Sequence, residues 1–170
     1  MQENVVEIAL NFLKGEWFTS KMSGLVISIF LINQDIRKEN KEKLIKQIIE
    51  ISMDQVYPVR KAVADSIPQL IELIPIFPQD SLTTMVRELL CDVADVVKNS
   101  IIEGALLFLE KMKNNKEILI YLLPAILDGY SDNSWRVRKV YIEHTKRIFS
   151  IFESLEVRRD QVIFLILKID

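Results

Sequence analysis

Histidine, cysteine and glycine, which build many metal, nucleophile and phosphate sites, are scarce in this chain, and the plentiful acidic residues form no pair with a reason to be desolvated. His144 is the only histidine, so a histidine-based metal cluster or a Ser-His-Asp triad has almost no material. Cys91 is the only cysteine, which excludes an intramolecular disulfide, and its neighbours Leu90 and Val93 predict a buried small side chain. The four glycines are isolated and form no phosphate-binding loop. We therefore expect no enzyme activity, no metal and no cofactor.

A different chemistry is repeated along the chain: an aspartate and an arginine at a fixed distance. Asp54-Gln-Val-Tyr-Pro-Val-Arg60 matches Asp132-Asn-Ser-Trp-Arg-Val-Arg138, with the arginine six residues after the aspartate in both. An aspartate at a turn can accept from the backbone N–H groups that begin a helix, and it can also pair with an arginine of a neighbouring repeat. We therefore predict a polar ladder between stacked repeats, built from Asp54, Arg60, Asp132 and Arg138.

These pairs recur within a repeat of about 40 residues, the period of HEAT and armadillo units. Val59 and Val137, each directly before the arginine, lie 78 residues apart, and Ser20 lies 39 residues before Val59. The unit between them is predicted to begin its second helix near Ile101. The second helices then begin at 20, 59, 101 and 137.

The unit in the middle is predicted to lack its ion pair. In the register that places its second helix at Ile101, Val96 takes the aspartate position and Ile102 takes the arginine position. The loss of both members together avoids a single buried charge, which would be costly.

The elements that position these residues are predicted to be helices. Leu44, Ile45 and Ile48 share one helical face, with Lys46 on the other, and similar spacing recurs nearly everywhere. No stretch alternates with a period of two. Short polar breaks, one of them at 98–99, divide the chain into about nine helices. Two prolines, Pro68 and Pro124, lie inside predicted helices and are expected to bend them.

We predict an all-α fold, a right-handed α-α superhelix of the HEAT/armadillo type with about four helix pairs and one extra helix. Residues 1–170 are expected to form a single array, with repeats at about 2–38, 39–78, 79–115 and 116–154 and a partial repeat at 155–170. Asp170 falls 38 residues after Asp132, at the aspartate position of this fifth unit. Because each repeat packs only against its neighbours, both ends should present apolar surface and self-associate weakly.

Net charge and hydropathy indicate which classes of partner and which location to expect. A formal net charge of −2 gives no global attraction to nucleic acid or to an anionic membrane. The longest apolar runs, 25–32 and 118–127, are shorter than the ~20 residues of a membrane-spanning helix. Residues 1–4 lack the basic patch of a signal peptide. We expect no nucleic-acid partner, no membrane partner and a cytoplasmic location, with the nucleus as the alternative.

Three segments resemble the scaffold (A) subunit of the type 2A protein phosphatases, over essentially the whole chain. Leu13–Lys21 is similar to a Gly-Asp/Glu-Trp-Phe-Thr-Ser-Arg turn of a middle repeat, and Asp132–Arg138 is similar to a later Asp-Lys-Ser-Trp-Arg-Val-Arg turn. Between them, Val59–Ala64 resembles a Val-Arg-Arg-Ala-Ala-Ala segment. The order and spacing of the three agree with that family. Pro58 and the third turn depart from its pattern.

The resemblance implies a non-catalytic scaffold whose turns within the repeats hold a phosphatase regulatory subunit. The repeats that hold the catalytic subunit in that family have no counterpart in this chain. The implied contact residues lie in three turns: Trp17, Phe18 and Thr19, then Tyr57, Pro58 and Lys61, then Ser134, Trp135 and Arg136. A tryptophan in a turn can anchor a partner, although large aromatic side chains also pack onto adjacent helices.

Two other functions stay open. A HEAT-repeat transport or cargo adaptor related to the importins would bind a peptide in its concave groove. An enzyme of the HEAT-like DNA glycosylase type would need a basic groove and a catalytic acid, and the balanced charge argues against it. A ridge of turns that exposes tryptophan favours the scaffold, and an acidic or Asn/Trp-lined groove favours the adaptor.

Overall fold

The computed structural model of the chain describes residues 2–73 and 78–153, which form helices and contain no strand. The all-α class predicted from the sequence is confirmed for these residues. The eight α-helices are α1 (Gln2–Lys14), α2 (Phe18–Ile32), α3 (Lys38–Ile51), α4 (Tyr57–Glu72), α5 (Gln79–Leu90), α6 (Asp95–Lys111), α7 (Lys116–Asp128) and α8 (Trp135–Phe152). A short 3-10 helix at Gly129–Ser131 follows α7. The predicted ninth helix, the partial repeat at 155–170 and Asp170 lie outside the described residues.

The helices contact one another in chain order, as four consecutive pairs. We call α1, α3, α5 and α7 the first helices and α2, α4, α6 and α8 the second helices. Each first helix contacts the next first helix, and each second helix contacts the next second helix. Within the pairs, α1 contacts α2, α3 contacts α4 and α5 contacts α6, while the 3-10 helix contacts both α7 and α8.

Helical periodicity explains which face each helix buries. In α3 the buried residues include Leu44, Ile45 and Ile48, the face predicted from the sequence. Burying one such aliphatic side chain contributes roughly 1.5–3 kcal/mol, so the stripe rather than intrinsic propensity stabilises each helix. The prolines are compatible with these helices. Pro58 lies in the first turn of α4, where a backbone N–H would have no partner within the helix. Pro68 and Pro124 lie inside α4 and α7, as predicted.

One glycine marks the closest approach of two second helices. A Cβ atom added at Gly104 of α6 would lie 2.9 Å from both Cβ and Cγ2 of Ile67 in α4. Ile67 is fully buried and β-branched, so its side chain has little freedom to move away. The contact between α4 and α6 therefore depends on a residue without a side chain at position 104.

The outer face of α1 differs from the corresponding face of the other first helices. Val5, Ile8 and Phe12 are exposed, and they lie 10, 7 and 3 residues before Gly15. Each other first helix buries all three corresponding residues, counted back from Asp54, Asp92 or Asp132. Those buried residues are Leu44, Gln47 and Ile51 in α3, Leu82, Met85 and Leu89 in α5, and Leu122, Ala125 and Gly129 in α7 and the 3-10 helix. The face of α1 is thus an apolar surface of the kind that a preceding helix covers in the other pairs.

We expect Gly104→Ala to lower the free energy of unfolding by about 1–3 kcal/mol, because the added methyl group overpacks the contact with Ile67. Chemical denaturation followed by circular dichroism measures this change. Lys46→Ala is the control, since it places the same methyl side chain at an exposed position of α3. Equal effects of the two substitutions would contradict the close approach of α4 and α6.

Candidate functional site

The turns between the first and second helices of each pair share one geometry. In three of them an aspartate accepts a hydrogen bond through Oδ1 from the backbone N–H two residues later. Asp54 accepts from Val56, Asp92 from Ala94 and Asp132 from Ser134, each at 2.8 Å. This Asx-type bond fixes the chain just before the second helix begins. It also leaves Oδ2 of each aspartate free to face the preceding turn.

That second oxygen pairs with a cation of the preceding pair of helices. Lys21 pairs with Asp54, Arg60 with Asp92 and Lys98 with Asp132. We call each of these ion pairs a rung and the three together the ladder. Each cation lies in the first two turns of its second helix, and it reaches an aspartate 32 to 34 residues further along the chain. The ladder therefore joins all four helix pairs.

The rung between Arg60 and Asp92 has the most complete geometry. Arg60 donates from Nε to Oδ2 at 2.6 Å and from Nη2 to Oδ1 at 2.9 Å, a two-bond fork that fixes distance and orientation together. Its Nη1 donates to the backbone carbonyls of Asp54 and Gln55, at 2.7 and 3.1 Å. One guanidinium thus connects its own turn to the next turn.

The rungs are shielded from solvent, and their geometry affects the acidity of the carboxylates. The Asp92 side chain is only 6% exposed and that of Arg60 13%. Burial alone would raise the pKa of Asp92, but hydrogen bonds from Arg60 and from the Ala94 N–H hold it below its ordinary value of 3.8. The pKa of Asp54 is lowered in the same way, against burial, by Lys21 and by the Val56 N–H.

The third turn corrects the register inferred from the sequence. The prediction that Val96 and Ile102 replace the ion pair is wrong, because Asp92 and Lys98 occupy those places, six residues apart as in Asp54 and Arg60. The predicted break at 98–99 lies inside α6, and the turn lies at 91–94 instead. With Val97 in the place of Ile101, the second-helix positions 20, 59, 97 and 137 are spaced by 39, 38 and 40 residues.

The remaining ladder residues also have partners that the sequence did not specify. Asp54 and Asp132 pair with lysines, Lys21 and Lys98, and not with arginines. Arg138 donates from Nη1 to the carbonyls of Asp132 and Asn133, at 2.6 and 3.2 Å, and forms no ion pair with any described residue. Neither lysine was predicted from the sequence, because only arginine was expected at this position.

The first turn has no aspartate. Gly15 stands at the aspartate position, six residues before Lys21. The Ser20 hydroxyl donates to the carbonyl of Phe12 at 3.1 Å, which ties the end of α1 to the start of α2 by another route. This turn precedes the ladder cation Lys21, and its own carboxylate, Glu16, is exposed and belongs to none of the three rungs.

In front of the ladder, the turns expose apolar and aromatic side chains. We call this surface the turn ridge and define it as residues 15–18, 53–57, 92–96 and 132–135. Trp17 is 75% exposed, Trp135 58% and Val93 90%. Of the sixteen large hydrophobic side chains that are exposed among the described residues, eight lie on the ridge: Trp17, Phe18, Met53, Val56, Tyr57, Val93, Val96 and Trp135.

The nine contact residues implied by the resemblance lie on this ridge or directly beside it. Six are exposed, namely Trp17, Phe18, Thr19, Tyr57, Trp135 and Arg136, and three are half-buried, namely Pro58, Lys61 and Ser134. The Arg136 guanidinium lies over the Trp135 ring, 5.0 Å from its centroid, which orders both side chains. Lys61 pairs with Asp65 one helical turn away.

Four exposed ridge residues were not foreseen from the sequence. Met53 and Val56 belong to the second turn, and Val93 and Val96 belong to the third turn. The two in the third turn were missed because the wrong register placed this turn inside a helix. The sequence did contain a signal for this turn. Aspartates are typical of turns before helices and of helix starts, and Asp92 and Asp95 occupy these two places.

Cys91 corrects another expectation, because it is exposed and not buried. It follows the last residue of α5, Leu90, and directly precedes the third turn. In the described ranges, no group of three or more His, Cys, Asp or Glu side chains could hold a metal ion. None of the helices in those ranges is long and apolar enough to cross a membrane.

No protein-family model matches this chain, and no curated protein matches it in sequence.

We expect Asp92→Ala to lower the free energy of unfolding by about 3 kcal/mol, because it leaves the shielded Arg60 guanidinium without its carboxylate. Asp92→Asn should cost less, since an amide oxygen can still accept from the Ala94 N–H. Urea denaturation measures both. The control is Asp65→Ala, which removes an exposed partner of Lys61 and should change the free energy by at most about 0.5 kcal/mol. A loss at Asp92 no greater than at Asp65 would contradict a stabilising rung.

Stability should also depend on pH through the same carboxylates. Because the pKa values of Asp54 and Asp92 are lowered by folding, the unfolded chain binds protons more readily at acid pH. Their stabilisation is therefore complete above pH 3.8 and is lost as the pH falls through the lowered folded values. Denaturation at neutral pH and at several values below 3.8 should show a smaller acid effect in Asp92→Asn than in the parent protein. An unchanged acid dependence would argue against the lowered pKa of Asp92.

Proposed function

We propose that this chain is a non-catalytic scaffold that holds a protein partner on its turn ridge. In this proposal the four helix pairs form a section of a right-handed solenoid of the HEAT type. The observation that carries it is the concentration of exposed apolar side chains on the ridge, eight of the sixteen in the described part of the chain. Exposed patches of this kind on a folded protein mark sites of protein association.

The chemistry of the ridge suits a protein partner. Tryptophan, tyrosine and arginine dominate the energetics of protein interfaces, and Trp17, Tyr57, Trp135 and Arg136 are all exposed here. The turn carboxylates behind them are already satisfied by the backbone and by the ladder cations. A partner can therefore cover the ridge without leaving these carboxylates unpaired, which limits the cost of desolvation.

The resemblance of three turns to the phosphatase scaffold subunit supplies the identity of the partner. We propose a regulatory subunit of a type 2A protein phosphatase, which contacts the first, second and fourth turns through the nine residues already named. The catalytic subunit would join such an assembly only through repeats outside this chain. The scaffold acts by position: it brings partners together, and no bond is made or broken on it.

The adaptor alternative has less support. On the exposed face of the second helices, charged side chains pair with one another within the protein. Lys61 pairs with Asp65, and Lys139 pairs with Glu143. Arg147 donates to both Glu103 and Glu110, at 2.7 Å for each nearest pair. A peptide that binds there by charge would have to compete with these internal pairs. The second helices also expose apolar side chains, namely Val26 and Phe30 of α2 and Ile142 of α8.

Weak self-association completes the proposal. The exposed stripe of Val5, Ile8 and Phe12 lies on α1, on the face that the other first helices bury. Two copies that cover this stripe would leave the turn ridge free for a regulatory subunit. The stripe is short, so we expect association only at high protein concentration.

We expect this chain to bind a purified type 2A regulatory subunit with micromolar or tighter affinity. Trp17→Ala and Trp135→Ala should each weaken binding by more than about 1 kcal/mol, because each removes an exposed aromatic anchor from the ridge. Isothermal titration calorimetry with the parent protein and both variants measures the difference. Circular dichroism of each variant verifies that it is folded.

Phe30→Ala is the matched control, since it removes an exposed aromatic side chain from the second-helix face. Loss of binding in Phe30→Ala with unchanged binding in both tryptophan variants would move the site to that face and favour the adaptor. No binding by the folded parent protein would reject this regulatory subunit as the partner. In that case the ridge would stand as a surface for a different protein.

A further inference from the structure

A groove of about 260 Å³ lies between α3 and α5, the first helices of the second and third pairs. Ile49, Met53 and Met85 line it with apolar side chains, and Asp80 and Glu88 line it with carboxylates. Sites for drug-sized molecules measure about 300–1,000 Å³, so this groove is too small for a whole ligand of that kind. Its volume suits individual side chains of a larger partner.

The polar side of the groove is one face of α5. Asp80, Thr84 and Glu88 are exposed and follow one another at intervals of four residues, which places them in line on the helix surface. At about 1.5 Å of rise per residue, positions 80 and 88 lie about 12 Å apart along the helix axis. This side of the groove therefore carries a carboxylate at each end and a hydroxyl between them.

The two carboxylates have no cation beside them in the described part of the chain. Neither Asp80 nor Glu88 forms an ion pair with a described residue. Arg87 of α5 is directed elsewhere, because its guanidinium lies over the Tyr121 ring of α7, 5.0 Å from the ring centroid. Asp92, two residues beyond the end of α5, is paired with Arg60. The groove thus offers acceptors that the described residues leave unused.

The apolar part of the groove suits the stem of a cationic side chain. Met85 is buried and forms a floor, whereas Met53 is 65% exposed and has the flexible side chain of a methionine. Lysine and arginine lay their methylene stems along apolar surface while the charged end stays with water or an acceptor. Such a side chain can place its stem against the two methionines and its charge at Asp80 or Glu88. A purely apolar occupant would leave both carboxylates unpaired.

We propose that the groove between α3 and α5 binds a basic segment of a protein partner, which sets one lysine or arginine side chain beside Asp80 and a second beside Glu88. Met53 lines the groove and belongs to the turn ridge, so the groove lies beside the second turn. The proposal deepens the proposed function, on which it rests for the occupant: the protein that covers the second turn carries two cationic side chains there. Binding of a basic segment to the groove is nevertheless measurable without that protein.

The test uses a flexible synthetic Gly/Ser peptide with two arginines four residues apart, which span about 13 Å when the chain is extended. With methyl-labelled methionines in the full chain, NMR titration should shift the Met53 and Met85 signals and leave Met22 and Met112 unchanged. Asp80→Asn and Glu88→Gln should each weaken binding about two- to fivefold, and the double variant about tenfold, because exposed ion pairs are individually weak.

Two controls separate recognition from general attraction. Glu7→Gln removes the same charge from an exposed position of α1 and should bind the peptide like the parent protein. A peptide with citrulline in place of both arginines keeps the shape and loses the charge, and it should shift neither methionine signal. Circular dichroism verifies that each variant is folded.

Three results would overturn the proposal. Equal binding of the citrulline peptide would show that the groove does not recognise charge. A loss in Glu7→Gln as large as in Glu88→Gln would show attraction to the whole protein and not to this groove. Unshifted Met53 and Met85 signals in the folded parent protein would place the peptide elsewhere or show no binding. The tryptophan variants test the regulatory subunit separately, so failure of the groove and failure of the proposed function are distinguishable.

Discussion

The structure depends on one shared carboxylate at each of three turns, those of Asp54, Asp92 and Asp132. The aspartate of a turn gives one oxygen to the backbone N–H that precedes its own second helix and the other to a cation of the preceding pair. The first bond sets where the helix begins, and the second sets where the helix lies relative to its neighbour. Asp92 shows both at once, since it accepts from Ala94 and from Arg60. Apolar burial supplies most of the stabilisation, but it is non-directional, so these rungs fix the register between pairs.

This arrangement determines what the turns can present to a partner. The three turn aspartates, Asp54, Asp92 and Asp132, are paired inside the protein, and most of the exposed side chains of the turns are apolar or aromatic. Val93 directly follows Asp92, Trp135 lies three residues after Asp132 and Trp17 lies four residues before Lys21, yet all three side chains are exposed. A surface of exposed aromatic groups on a framework held by short ion pairs loses little conformational freedom when it binds. In the proposed scaffold, the ion pairs would hold the backbone of the turns in place before a partner binds.

The sequence was sufficient for the helical class and for Asp54, Arg60 and Asp132, but it predicted no complete rung, and its failures have physical causes. Helical faces such as Leu44, Ile45 and Ile48 follow from periodicity, because burial of one stripe is what stabilises each helix. The third turn was misplaced because Asp92–Val97 contains neither glycine nor proline and because Lys98 replaces the expected arginine. Lysine and arginine both pair with aspartate in the ladder, so lysine can replace arginine without loss of the ion pair. This replacement makes the repeat harder to recognise in the sequence. Exposure of the tryptophans was also undecided, since a turn aromatic can pack inward or outward with the same local sequence.

The turns carry two sets of side chains with different roles. The ladder residues hold neighbouring helix pairs together, and the ridge residues form the proposed binding surface. A ladder side chain such as Arg60 touches only its own turn and the next, so its loss should loosen the contact between two pairs without removing exposed surface. A ridge side chain such as Trp135 contacts solvent and Arg136, so its loss removes surface and leaves the core unchanged. In the fourth turn the two sets of side chains are close in sequence, because Arg138 holds the carbonyls of Asp132 and Asn133 while Trp135 and Arg136 of the same turn are exposed. A substitution in this turn can therefore affect the backbone contacts and the exposed surface together.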